Sequence, residues 1–252
     1  MLEARNITVS FDDYVAVRDI SFDLEAGQWL MIAGPNGAGK STLINAISQG
    51  IPYSGTITMD GRPLRALKQT EVAKNIGFLM QRNSVQYAYT VEDIVALGRY
   101  SYRKGFLRSE DDDCRKKVDA ALEMTGLTPL RKHNAMTLSG GELQRTFLAQ
   151  LFAQDPRVLI LDEPANHLDP AYQKQIFALI RDWLSVPDRG VISVVHDLSL
   201  AKHFGTHALL MDRGRCVSCG TVTDALSDPR LKEAYDFDVS AWMRELSGEW
   251  AN

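Results

Sequence analysis

The stretch Gly34-Pro35-Asn36-Gly37-Ala38-Gly39-Lys40-Ser41-Thr42 has the spacing G-x-x-x-x-G-K-[ST], the pattern of a loop that cradles phosphates. Gly34, Gly37 and Gly39 let the backbone turn and approach an anion without a Cβ in the way. Lys40 would reach the β- and γ-phosphates, and the Ser41 hydroxyl would ligate Mg²⁺. The flanks fit. Trp29 to Ala33 is a short apolar run that reads as a buried strand, and Thr42 to Ile47 places apolar residues at helical spacing. Strand, glycine-rich loop and helix together aim backbone N–H groups and a positive helix end at an anion. The alternative is a glycine-rich turn that happens to precede a lysine, and the flanking elements argue against it. The pattern predicts a nucleoside triphosphate site.

Two further stretches carry chemistry. Asp162-Glu163-Pro164 closes the apolar run Arg157 to Leu161, at the strand end where open α/β sheets bind ligands. Asp162 would hold Mg²⁺, directly or through water. Glu163 would orient and deprotonate the attacking water. Leu138-Ser139-Gly140-Gly141-Glu142 opens a helix with amides and a hydroxyl that suit a second anion; read structurally, Ser139 is a cap and the glycines a turn. One phosphate loop serves one nucleotide, so a second anion site needs explaining.

These residues must be positioned by a sizeable core, which 252 residues with 45% hydrophobic and 24% charged content can build. The net charge of −4 gives no basic field for nucleic acid. No apolar run approaches the ~20 residues that span a bilayer, and Met1 to Ile7 lacks the apolar core of a signal peptide. The expectation is a chain that starts and stays in the cytosol. Three cysteines make no disulfide framework. Cys216 and Cys219, three apart on a strand, are expected on opposite faces.

Along the chain, Leu2 to Phe11 and Val15 to Leu24 alternate around Asp12-Asp13, an antiparallel hairpin. Gly55 to Gly61 and Ile76 to Met80 read as strands. From Gln81 to about Asp155 the pattern turns helical: Thr90 to Gly98 with Thr90 as cap, Ser109 to Met124, and Ser139 to Gln154. The core resumes with strand Arg157 to Asp162, helix Ala171 to Leu184, strand Gly190 to Val195, helix Leu198 to Phe204 and strand Ala208 to Met211. Such alternation predicts an α/β fold, a parallel-sheet core with an N-terminal antiparallel β subdomain and an inserted helical lobe. The organisation expected is one domain over 1–252, with core 1–81 and 156–235, helical lobe 82–155 and tail 236–252. Trp242 and Trp250 in the tail have no assigned role beyond packing.

Together the motifs resemble the ATP-binding-cassette (ABC) ATPases over nearly the whole chain, and Leu138-Ser139-Gly140-Gly141-Glu142 is identical to that family's signature. The resemblance implies an ABC-type nucleotide-binding domain that hydrolyses ATP with Mg²⁺. It places Gln81 at the Q-loop, as a Mg²⁺ contact that relays closure to the helical lobe. His196 takes the place of the switch histidine on the γ-phosphate, and Asn166-His167-Leu168-Asp169 the place of the D-loop. Phe11 stands as the aromatic on adenine, with Tyr14 nearby. Two cassettes of this family pair head-to-tail, so Ser139, Gly140, Gly141 and Glu142 of one copy, with Asp169, close on the ATP held by Gly34 to Thr42 of the other. That accounts for the second anion site and implies a homodimer.

Thr90 to Tyr100, Leu161 to Pro170 and Val195 to Leu198 are similar to importers of the iron-siderophore, haem and cobalamin type, with Ala165 departing where Thr is commoner. This implies permease subunits docking near Gln81 to Arg99, a substrate-binding protein beyond them, and a location at the cytoplasmic face of the membrane. An importer ATPase for free metal ions and a soluble ABC protein without a permease are the other readings. Thr90 to Tyr100 and the lack of a coiled-coil insertion speak against the last.

Overall fold

The structure is a computed structural model, and it describes residues 1–80, 85, 87–102 and 112–248. Gln81, Ser109 and Trp250 lie outside the described residues. The chain divides into two compact units, Met1–Ala66 with Ile192–Asn252, and Leu67–Val191.

The first unit opens with β1 (Leu2–Phe11) and β2 (Tyr14–Leu24), the hairpin that the alternation predicts. Asp12 turns it at φ 49°, so that Phe11 pairs with Tyr14. The chain continues through β3 (Trp29–Ala33), α1 (Lys40–Ile47), β4 (Ser54–Met59) and β5 (Arg62–Pro63). β1, β2, β4 and β5 form an antiparallel sheet in the order β2-β1-β4-β5. Alternation in β1 is interrupted by register shifts on either side of Ile7, with Asn6 at φ 53°. Ile7 and Val9 are buried, whereas Phe11 is 49% exposed at the hairpin tip.

In the second unit come α2 (Gln69–Asn75), β6 (Ile76–Leu79), α3 (Val91–Leu97), α4 (Asp112–Met124), α5 (Gly140–Gln154), β7 (Val158–Asp162) and α6 (Pro170–Leu184). β6 and β7 pair in parallel, Ile76 against Val158 through Leu79 against Leu161. All five residues of β7 are buried, which is why its sequence is a continuous apolar run rather than an alternation. Thr90 caps α3 as expected, closing a capping box with Asp93. Trp183 of α6 stacks on Phe152 of α5 at 6.2 Å and ties the two helices together.

Between the units' sequences runs β8 (Gly190–Val194), which begins in the second and ends in the first. The first unit then adds α7 (Leu198–Phe204), β9 (His207–Asp212), β10 (Arg215–Thr221), α8 (Val222–Ala225), α9 (Asp228–Tyr235) and α10 (Val239–Gly248). β9 runs parallel to β3, and β10 turns back antiparallel to β9. A register shift between Cys216 and Ser218 breaks the strict alternation of β10, and both Cys216 and Cys219 are exposed. Although the residues as a whole are exposed, partial desolvation raises the Cys216 thiol and brings the Cys219 thiol up to about 11. Neither is a nucleophile candidate.

Candidate nucleotide site

The phosphate loop is held by its own unit. Trp29 to Ala33 are buried in β3, and the Trp29 indole N–H donates to Ser193 Oγ at 2.9 Å, so the large ring enters the core with its polar atom satisfied. Past Ala33 the backbone makes the turn that glycine permits. Gly34 has φ +143°, and a Cβ there would stand 2.0 Å from the Met211 carbonyl oxygen of β9. Gly39, at φ +93°, would place a Cβ 2.5 Å from the Ala16 carbonyl of β2. Any side chain at either position would push the loop off the strands behind it.

Gly39 is also the N-cap of α1 and supplies no side-chain cap bond. The first-turn N–H groups of such a helix are the ones an anion can take. Lys40 is buried, and its Nζ donates to the Gly34 carbonyl at 2.7 Å and the Pro35 carbonyl at 2.9 Å. Its ammonium therefore lies folded across the loop, where incoming phosphate oxygens can compete for it. Ser41 and Thr42 are half-buried beside it, and Ala38 is anchored by accepting from the Gly214 N–H at 3.1 Å.

His196 belongs to the same unit. It is exposed in the short bend between β8 and α7. The residue before it, Val195, donates its N–H to the Ile32 carbonyl of β3 at 3.1 Å. Asp197 caps α7 by accepting from the Ser199 and Leu200 N–H groups, which fixes the bend. His196 thus emerges beside the strand that feeds the phosphate loop.

The second unit gathers the other chemical residues. Asp162 is buried at the end of β7, and Glu163 follows at φ 53°, half-buried. The Asn166 side-chain amide donates to Glu163 Oε2, giving the carboxylate an orienting partner. Asp169 is the N-cap of α6, accepting from the Tyr172 N–H at 3.0 Å. Ser139 caps α5. Its hydroxyl donates to Glu142 Oε2 at 2.7 Å and accepts the Glu142 N–H at 3.4 Å, and the bond from Ser139 holds the Glu142 carboxyl below its ordinary range.

The signature is also packed against the residues after β7. Gln144 donates to the Pro164 carbonyl at 2.6 Å. The Tyr172 ring lies over Gly141 so closely that a Cβ would meet it at 2.5 Å. Ser139, Gly140, Gly141 and Glu142 are therefore brought together with Asp162, Glu163 and Asp169 in one unit, as Gly34 to Thr42, His196 and Phe11 share the other. Asn166, Gln144 and Tyr172 do this positioning without having been singled out for it. Only the Asn166 contact was open to inference, from its three-residue spacing to Glu163.

Ser41 and Asp162 offer a hydroxyl and a carboxylate, the hard oxygen donors that Mg²⁺ takes alongside phosphate oxygens and water. Among the described residues no group of three or more His, Cys, Asp or Glu is placed to hold an ion, and a phosphate-bound Mg²⁺ needs none. Elsewhere in the second unit lies a groove of about 470 Å³ lined by Phe78, Leu79, Tyr87, Tyr89, Ile94 and Leu97, among others. Tyr87, Tyr89 and Leu97 are exposed there.

Residues 17–166 match the family described as ABC transporter. The chain belongs to the ABC transporter family. Over 243 residues it is 35% identical to the hemin import ATP-binding protein HmuV of Chelativorans sp. (strain BNC1), covering 94% of this chain and 91% of that one. It is 32% identical to the petrobactin import ATP-binding protein YclP of Bacillus subtilis (strain 168), covering 95% and 94%. To YvrA of the same organism, an uncharacterized ABC transporter ATP-binding protein, it is 34% identical over 98% of this chain, which spans 56% of that longer one. Among solved structures, the dimeric structure of MJ0796, a bacterial ABC transporter cassette, superposes with a TM-score of 0.77 at 25% identity, covering 88% of this chain and 99% of that one. The cassette is an ATPase of this family, its activity coupled to transport.

Proposed function

We propose that the cassette powers an importer of metal chelates, of the iron-siderophore, haem or cobalamin class, by ATP-driven closure of a homodimer. What carries this reading is the near-full-length similarity to import ATP-binding proteins for petrobactin and hemin. The phosphate loop of one copy binds ATP, with Lys40 on the β- and γ-phosphates and Mg²⁺ held through Ser41 and Asp162. Gly140 and Gly141 of the second copy supply amides to the same nucleotide, and Ser139 turns its hydroxyl from Glu142 toward the phosphate.

Glu163, oriented by Asn166, takes the proton of the attacking water. His196 steadies the γ-phosphate, Asp169 lines the closed interface, and Phe11 lies against adenine. Gln81, outside the described residues, contacts Mg²⁺. The permease docks in the apolar groove around Phe78, Tyr89 and Leu97, whose exposed tyrosines and leucine favour a helical segment of a membrane partner. The cassette then sits at the cytoplasmic face of the membrane, and a substrate-binding protein delivers the chelate on the other side. Among the described residues no helix is long and apolar enough to cross a membrane, so attachment runs through the permease.

Capture of the tagged cassette from detergent-solubilised membranes tests this. A co-purified multi-helix permease whose ATPase activity rises with a chelate-loaded binding protein supports it. A partner stimulated only by free metal ions, or the absence of any membrane partner, contradicts it.

A further inference from the structure

The signature is reached through a short stretch of chain fastened along the start of α3. Residues 131–138 follow the turn Thr128–Leu130 and contain a second one, Ala135–Thr137, which leads directly into Leu138 and the Ser139 cap. Three backbone hydrogen bonds join this segment to residues 89–92. The Val91 N–H donates to the His133 carbonyl at 3.0 Å, the Glu92 N–H to the Arg131 carbonyl at 3.0 Å, and the Ala135 N–H to the Tyr89 carbonyl at 2.9 Å. Thr90 and Asn134 form an antiparallel bridge between them. Asn134 Oδ1 accepts the Met136 N–H at 2.9 Å, and the Thr137 hydroxyl donates to the Asn134 carbonyl at 2.8 Å. The turn that hands the chain to Ser139 is thus closed on itself, and its place is set by where the residues before it are held.

Side chains hold them. Arg131 Nη2 donates to Glu92 Oε1 at 2.5 Å, and Lys132 Nζ donates to Glu92 Oε2. Both carboxylate oxygens of one α3 residue are therefore taken by consecutive residues of the segment. Arg131 also pairs with Asp119 of α4 at 2.7 Å. The Glu92 and Arg131 side chains are 23% and 27% exposed, which sets them apart from open surface pairs that contribute little. A backbone pairing this short is marginal on its own, so the charged side chains are what fix it.

We propose that Glu92 and Arg131 are a positioning pair for the signature: they clamp segment 131–138 to α3 so that Ser139, Gly140 and Gly141 stand ready for the nucleotide held by a second copy. The physical effect is pre-organisation, since a signature fixed before closure leaves less freedom to be lost on closure. The inference rests on the reading of Ser139 to Glu142 as the anion site that completes the ATP site of another copy.

Glu92→Gln and Arg131→Met test it, each made in the chain that also carries Glu163→Gln, so that closure is read without turnover. Each should weaken ATP-driven dimerisation about ten-fold, the low end of what a hydrogen bond to a charged group contributes. The Kd for MgADP should be unchanged, because the phosphate loop belongs to the other unit. The two changes together should cost little more than Arg131→Met alone, as for residues that act as a unit. Arg131→Lys, which keeps the charge and gives up the planar fork, should recover part of the loss. A pair that only stabilises the fold would lower the thermal midpoint and leave dimerisation of the folded chain at the parent level. That result overturns the clamp alone. A parent Glu163→Gln chain that never dimerises with ATP overturns the head-to-tail reading and the clamp together.

Should both variants fail to fold, amide exchange in the wild-type chain decides the point. Slow exchange of the Glu92 and Ala135 N–H groups without nucleotide supports the clamp, and exchange at the rate of an open loop overturns it.

Discussion

At the scale of single residues, the chemistry is divided between charges held and charges aimed. Lys40 is held, bridging two carbonyls of its own loop. Lys40→Ala removes the cation proposed to meet the phosphates and should weaken ATP binding itself, measured by titration of nucleotide; unchanged affinity would refute the role. Glu163 is aimed, and Glu163→Gln should keep ATP affinity while slowing steady-state hydrolysis about 10²–10⁴-fold. Turnover at the wild-type rate would sink the general-base assignment. The roles proposed for these two residues were suggested by the sequence because phosphate chemistry constrains their spacing to neighbours in the chain. The Asn166 amide on Glu163 was less legible there, since it depends on a residue at φ 53° turning the chain back.

Among the elements, those read correctly are the ones with one dominant local signal. β3, β7 and β8 are buried end to end and show as apolar runs, while α3 and α5 announce themselves by capping boxes. The elements that escaped lack such signals. α2 buries none of its residues, α9 buries only Leu231 and Ala234, and α10 only Ser240, so tertiary packing rather than periodicity specifies them. The bulge in β10 likewise has no local cue that would forecast it.

One element carries a pH signature. Glu92, in the first turn of α3, meets Arg131 at 2.5 Å and also Lys132, and the hydrogen bond from Arg131 foremost holds its carboxyl down at about 2. A carboxyl lowered on folding stabilises the fold above its ordinary value near 4.5, and that contribution fades as pH falls toward 2. Glu92→Gln should therefore be clearly destabilising at pH 7 in urea unfolding. Its difference from wild type should shrink between about pH 4.5 and 3. A difference that stays constant over that window would show that the pair contributes nothing through charge.

For the whole molecule, the arithmetic of motifs is decisive. Each chain carries one phosphate loop and one signature, so under the proposed function two copies arranged head-to-tail would complete two equivalent sites. Closure would then be driven by the nucleotide that both copies touch, and hydrolysis would release it. The most direct test is the mass of the Glu163→Gln chain in solution by light scattering, with Mg²⁺ and either ATP or ADP. The account predicts a dimer with ATP and a 28.1 kDa monomer with ADP. A monomer in both nucleotides would contradict it.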